Sequence, residues 1–401
     1  MKKTLVALAA LSAISAFAQS SVELVGYFDR AYTSTTAQNS QLNSTTLGSN
    51  AGTTNLTFRG KSDLGGGTAA VFSAETDWSD LGGNSQAGQV GTAQQSGFVN
   101  SENFVGLSDA KFGTLKFGTP NSFTLGNATS VASPMFSTAV GSAYSSKFSI
   151  ANGLGTGATN NGGIVTAGGT SATAAVAGAR AIRISNTVQY VTPNFSGFTA
   201  GVNYTPQNNN VTDSTLSGQG NTVGVTEYAL RYTNGPVDAM YTSIKYDVGS
   251  NAVRQATMAT SATSTSYALS STQLAAQTST QNLLGLSYQA LPALKLNLGL
   301  GSFDSSDGAN KGKSTQFGGT YTTGAWDILA QVAKVNDQST TNADRKMTGL
   351  GVNYNLSKTT RVYFRADSIK YNVNSLSGFT YTATQAGDTL KRTALGMSVS
   401  F

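Results

Sequence analysis

The 401-residue chain has no cysteine and no histidine. Disulfides, Cys or His metal ligands and every catalytic triad built on an imidazole base are therefore excluded. Charge is scarce as well: charged residues make up 11 % of the chain, where a soluble domain carries about 25 %. Beyond the first twenty positions no apolar run approaches the roughly 18 residues that a membrane-crossing helix needs. Acidic residues are missing altogether from Ala110 through Thr212, while Lys111, Lys116, Lys147, Arg180 and Arg183 all fall in that window. The formal net charge of +6 is modest, with no dense Lys/Arg stripe, which argues against nucleic acid as a partner.

The N-terminus has Lys2 and Lys3, then an Ala- and Leu-rich run ending in Ala16-Phe17-Ala18. This is the pattern of a secretory signal peptide over 1–18, with the mature chain, 19–401, starting near Gln19. What remains is rich in Gly (45) and Tyr (16), with 39 % hydrophobic residues. Together with short alternating segments, that composition suits a transmembrane β-barrel, whose strands face lipid and water by turns.

The alternation is readable along the chain. In 21–30, Val22, Leu24 and Phe28 oppose Glu23 and Asp29; in 55–61, Leu56 and Phe58 oppose Arg59 and Lys61. Asp63-Leu64-Gly65-Gly66-Gly67 then makes a tight turn, glycine supplying the positive φ. The strand after that turn runs to Trp78, with Phe72 opposite in parity to Glu75 and Asp77. Further strands fall at 102–107, 114–118, 183–191, 198–204, 226–232, 237–248, 282–290, 294–303, 314–322, 326–335, 345–354, 361–371 and 389–401. The Ser/Thr/Ala-rich stretch 250–280 reads as a loop, and 171–181 as a short helix. Sixteen segments result, short turns alternating with long loops, and an even-numbered closed antiparallel barrel follows, since an open sheet edge cannot lie in hydrocarbon. The last strand alternates Leu395, Met397, Val399 and Phe401 with small residues; a lipid-facing strand ending in Phe is an assembly signal for outer-membrane insertion.

The stretch 120–181 has hardly a strand signal, and loops of that length are usually functional or disordered. Free of acids, it reads as a segment around which the barrel wraps, narrowing the lumen. Parity places Arg59, Lys61, Lys116, Arg183, Arg231, Arg365 and Arg392 on water-facing walls, with Glu23, Glu75, Asp77 and Glu227 as acids; Lys147 and Arg180 come from the loop itself. Basic rings favour anions and acidic rings favour cations, so a mild anion preference is expected. No metal or cofactor site is expected. Asp304 to Asp307 with Gly308 lacks the later acidic ligand of a calcium loop.

The mature chain resembles the general diffusion porins of β-proteobacteria, the neisserial, Burkholderia and Comamonas type. The likeness rests on the order and spacing of Ser21-Val22-Glu23-Leu24-Val25-Gly26, Phe58-Arg59-Gly60, Asp63-Leu64-Gly65-Gly66-Gly67, Phe104-Val105-Gly106-Leu107-Ser108, Tyr190-Val191-Thr192-Pro193, Asn234-Gly235-Pro236, Tyr354-Asn355-Leu356-Ser357-Lys358 and the terminal Phe401. The resemblance implies a sixteen-stranded outer-membrane barrel, a homotrimer in contact with outer-membrane lipid and lipopolysaccharide, a third loop (120–181) folded into the pore, and passive diffusion of small hydrophilic solutes and ions. Two departures stand out. Ser101 and Thr119 occupy positions where the family commonly has Arg, and the third loop is long and rich in Gly, Ala and Thr. Other readings are a substrate-specific channel binding a carboxylate or phosphate through Lys147, Arg180 and Arg183, and a surface adhesin on a barrel scaffold. An enzyme is not expected.

Overall fold

The computed structural model describes residues 20–37, 42–78, 98–135, 139–144, 183, 186–206, 224–248, 255–261, 264–270, 277–306, 311–338, 342, 344–372, 387 and 389–401. The leader, Lys147, Arg180 and the helix expected at 171–181 lie outside these residues.

Nineteen strands are present among the described residues. They are β1 (Ser21–Ala37), β2 (Leu42–Gly48), β3 (Thr54–Gly65), β4 (Thr68–Trp78), β5 (Asn103–Asp109), β6 (Gly113–Thr119), β7 (Thr187–Val191), β8 (Phe198–Thr205), β9 (Gly224–Asn234) and β10 (Val237–Val248). After these come β11 (Gln255–Ser261), β12 (Ser264–Ser270), β13 (Gln277–Leu291), β14 (Leu294–Ser305), β15 (Lys311–Thr323), β16 (Trp326–Asp337), β17 (Arg345–Asn355), β18 (Thr360–Tyr371) and β19 (Thr389–Ser400). Sixteen staves close the barrel, because β2 and β3 share one: the first half of β1 pairs with β3 and the second half with β2. The ring shuts where Phe28 of β1 opposes Val399 of β19. Every neighbouring pair is antiparallel, and ring closure removes the open edge that hydrocarbon does not tolerate.

The break between β2 and β3 has a local cause. Asp29 points inward from β1, and its carboxylate accepts the backbone N–H groups of Asn50 and, at 2.8 Å, Ala51. Those donors would otherwise be unpaired where the ladder stops. The glycine turn forms as expected, with Gly65, Gly66 and Gly67 at φ of 83°, 66° and 94°.

Two readings change. The stretch 250–280 contains a separate hairpin, β11 with β12, and β13 starts at Gln277. Threonine and small residues serve strands and loops alike, so composition alone could not separate them. The strand expected from 183 starts at Thr187; Asn186, at φ 59°, ends it, and Arg183 keeps only an isolated bridge to Asn121.

Side chains sort by face as a membrane barrel requires. Leu294, Leu296, Leu298 and Leu300 point outward from β14, alternating with buried Asn297 and Phe303. Aromatic groups gather at the short-turn end: Trp326 meets Tyr354 at 4.6 Å between ring centroids, Phe198 meets Tyr232 at 4.5 Å, and Phe401 stacks on Phe28 at 6.0 Å. Amphipathic rings of this kind mark the membrane–water boundary.

Candidate functional site

Past Thr119 the chain leaves the wall and turns at once. Ser122 accepts from the Leu125 N–H at 3.1 Å and so caps α1 (Phe123–Gly126), a single turn continued as a π-helical turn over Asn127–Val131. The start of α1 presents its unpaired N–H groups to Glu227 of β9. That carboxylate accepts from Phe123 N at 3.1 Å, Thr124 N at 2.6 Å, Thr124 Oγ1 at 2.7 Å and Asn203 Nδ2 at 2.5 Å. A fully buried carboxylate is costly unless its lone pairs are used, and here four donors use them.

From that anchor the segment follows the inner wall stave by stave. Asn127 donates to the carbonyls of Met240 on β10 and Leu283 on β13, at 2.9 and 3.1 Å. Asn297 of β14 donates to Val131 O at 2.7 Å. Gln331 of β16 meets Ser133 and donates to the Gly141 carbonyl. Asp367 of β18 accepts from Gly141 N, and Asn50, in the break of the second stave, accepts from Val140 N, each at 2.7 Å. Close approach needs glycine on the wall: a Cβ at Gly349 would run into the Gly141 backbone, and Gly141 itself has φ 90°.

An apolar core forms under this strip. Ala128, Ala132, Ala143 and Tyr144 are buried with Leu283, Phe303, Val335, Met347, Ile369 and Leu390, all inward residues of β13 to β19. Those strands therefore carry apolar residues on both faces near the long-loop end, one facing outward and the other facing the segment. Neither this core nor the set of amide clips was anticipated from the sequence. The one signal was apolar residues on the inward parity of β16 to β19.

A charge cluster lies on β4 at the root of the segment, where Arg183 forms its bridge to Asn121. Arg183 donates through Nη2 to Glu75 Oε1 at 2.9 Å and through Nη1 to Asp77 Oδ2 at 3.2 Å, all three side chains nearly buried. Ser101 donates to Glu75 Oε1 at 2.5 Å and Thr57 to Oε2 at 3.0 Å. Ser101, one of the two departures noted above, thus serves a carboxylate from β4. One guanidinium faces two carboxylates, so Arg183 adds no free positive charge.

The remaining expected wall residues all lie on inward positions. Arg59 pairs with Glu23 at 2.9 Å in an exposed bridge, and Lys61 is exposed two residues on. Lys116 Nζ sits 4.4 Å from the Phe104 ring centroid. Arg231 makes a bidentate contact with Asp238 (2.8 and 2.6 Å) near a short turn. Arg392 grips Asp367 at 3.0 and 2.5 Å, and Arg365 bonds only neutral oxygens, those of Val352, Phe364 and Asn353. Among the described residues no three His, Cys, Asp or Glu side chains converge in a metal-ligating group.

The chain is 28 % identical over 331 residues to an outer membrane porin protein of Bordetella pertussis, covering 76 % of this chain and 74 % of the relative. Its fold is similar to that of the anion-selective porin from Comamonas acidovorans (TM-score 0.67, 24 % identity, 96 % of this chain and 100 % of that one). It is also similar to the trimer form of OmpT, an outer membrane protein of Vibrio cholerae (TM-score 0.56, 13 % identity, 95 % and 99 %). The family described as Gram-negative porin matches residues 4–375, and with the closed sixteen-stave barrel this places the chain in the outer membrane as a member of the Gram-negative porin family.

Proposed function

We propose that the barrel is a water-filled pore for passive diffusion of small hydrophilic solutes and ions, with a mild preference for anions. The observation that carries the preference is an imbalance in the lumen. The inward carboxylates Glu75, Asp77, Glu227 and Asp367 are each held by guanidinium, hydroxyl or backbone donors. The inward cations Lys61, Lys116, Lys295 and Arg361 form none of the ion pairs among the described residues. Glu102 acts on Lys116 and Asp327 on Arg361 without forming an ion pair, both carboxylates being held by neutral donors; lumen charge sets the sign of selectivity, and cations outside ion pairs attract anions. The Comamonas relative's anion selectivity agrees with this reading.

In the same reading, the strip from Phe123 to Tyr144 constricts the lumen, because it is fastened along the inner wall from β9 to β18 and uncharged over its described length. The assembly is a homotrimer, as in the Vibrio OmpT trimer form, and mass measurement in detergent tests it. A substrate-specific anion site fits less well, since Arg183 is already engaged by two acids. The deciding experiment is the reversal potential of purified protein in planar bilayers under a salt gradient. Anion sign is expected, cation sign refutes the preference, and a bilayer without conductance refutes the pore.

A further inference from the structure

One inward position breaks the polar pattern of the wall between β3 and β6. Phe104 of β5 shares the inward parity of Gly106, opposite the outward Val105 and Leu107, and its ring is partly exposed. The lumen face of a membrane barrel is polar, so a ring there gains nothing from lipid. The neighbouring staves leave it room. Directly opposite Phe104 stand Ser73 of β4 and Gly118 of β6, and the adjacent inward row carries Val71, Gly106 and Lys116. The ring therefore lies on a floor of small side chains.

Cations rim that floor. Lys61 opposes Val71, and Arg59 opposes Ser73 in the row of Phe104. With strands ~4.8 Å apart, Lys61 and Lys116 stand three staves, or about 14 Å, from each other across Val71 and Gly106. Lys116 reaches to the ring, its Nζ 4.4 Å from the Phe104 centroid. Arg59 is taken by Glu23 at 2.9 Å. Glu102, one inward step beyond Phe104 on β5, faces Lys116 but is held by the Asn121 N–H at 3.0 Å. Neither Lys61 nor Lys116 forms an ion pair among the described residues.

We propose that Phe104 and Lys116, with Lys61 across the floor, form a lumen subsite for aromatic monocarboxylates. A flat ring stacks on Phe104 over Val71 and Ser73, and its carboxylate meets the Lys116 ammonium. The contact with the Phe104 face already holds that ammonium in place, so less side-chain freedom is lost on binding. A bare inorganic anion would use the lysines and leave the ring idle; a neutral sugar would use the ring and leave the lysines idle. An aromatic acid uses both. The inference names a solute class for the anion-preferring pore proposed above and rests on that reading.

The test is block of chloride conductance in planar bilayers by benzoate, with acetate and benzamide as separate arms. Benzoate should lower the conductance saturably, at concentrations where the other two do not. Phe104→Leu, close in volume, should raise the benzoate half-block concentration about two- to tenfold and leave the response to acetate unchanged, whereas Phe104→Tyr should keep the benzoate block. Lys116→Gln should raise the half-block concentration about fivefold, and it is read alone should the leucine variant not insert. The proposal is overturned by block with acetate equal to that with benzoate, which would mark a bare anion site, by equal block with benzamide, which would mark an apolar patch, or by an unchanged benzoate response in Phe104→Leu. Chloride conductance without benzoate block sinks this inference alone; a bilayer silent in potassium chloride sinks the pore and this inference with it.

Discussion

Replacing Glu227 with glutamine tests the anchoring of the inner strip most directly. The wild-type carboxylate takes four donors, two of them backbone N–H groups at the start of α1. A glutamine offers one carbonyl oxygen, and its NH2 group must face donors already in place. Hydrogen bonds to a charged group contribute about 1.5–3 kcal/mol each. Losing two of them, offset in part by no longer burying a charge, weakens the anchor by about 3 kcal/mol. The barrel itself should persist, because its ladders from β7 to β10 do not involve this side chain. The expected result is a folded pore with noisier open-channel current in planar bilayers and faster proteolysis near Phe123, together with a lower urea midpoint. Thr124→Val, which removes a single donor, should produce a smaller change of the same sign, about 1 kcal/mol. Current noise, proteolysis and midpoint all equal to wild type in Glu227→Gln would refute the anchoring argument.

Other outcomes follow from the same structure. Arg183→Gln leaves Glu75 and Asp77 without their guanidinium, so the reversal potential should move toward the cation side; an unmoved potential would mean that the cluster lies off the ion path. Arg392→Met strands the buried Asp367 carboxylate and should destabilise by about 3–5 kcal/mol, whereas the double variant with Asp367→Leu should recover much of that loss, as read from urea unfolding in detergent. Gly349→Ala pushes a Cβ into the Gly141 backbone, an overpacking worth about 1–3 kcal/mol, and should alter single-channel conductance while the barrel still inserts. Phe401→Ala removes the stack on Phe28 and the ring lying over Gly26; it should slow insertion into vesicles, which gel-shift kinetics would detect.

The alternation of Leu294 to Phe303 or Trp326 to Val335 was enough to assign each strand and its two faces, because side-chain direction in a strand depends only on parity. Turn positions were equally legible where glycine must take positive φ, as at Gly65 to Gly67. The inward parity of Glu75, Asp77, Glu227 and Arg392 followed from the same counting. Parity says nothing, however, about which residues share a height or what lies across the lumen. Glu227 and Thr124 are separated by 103 positions, and Asp367 and Gly141 by 226; no local pattern links them. Only ring closure brings them together. Arg183 looked like a free cation until folding set two carboxylates beside it. The sequence by itself determined the staves, their faces and the turns, since those depend on neighbours one to four residues away. The tertiary structure alone decided charge compensation and the path of the inner strip, since these depend on register and closure between distant strands.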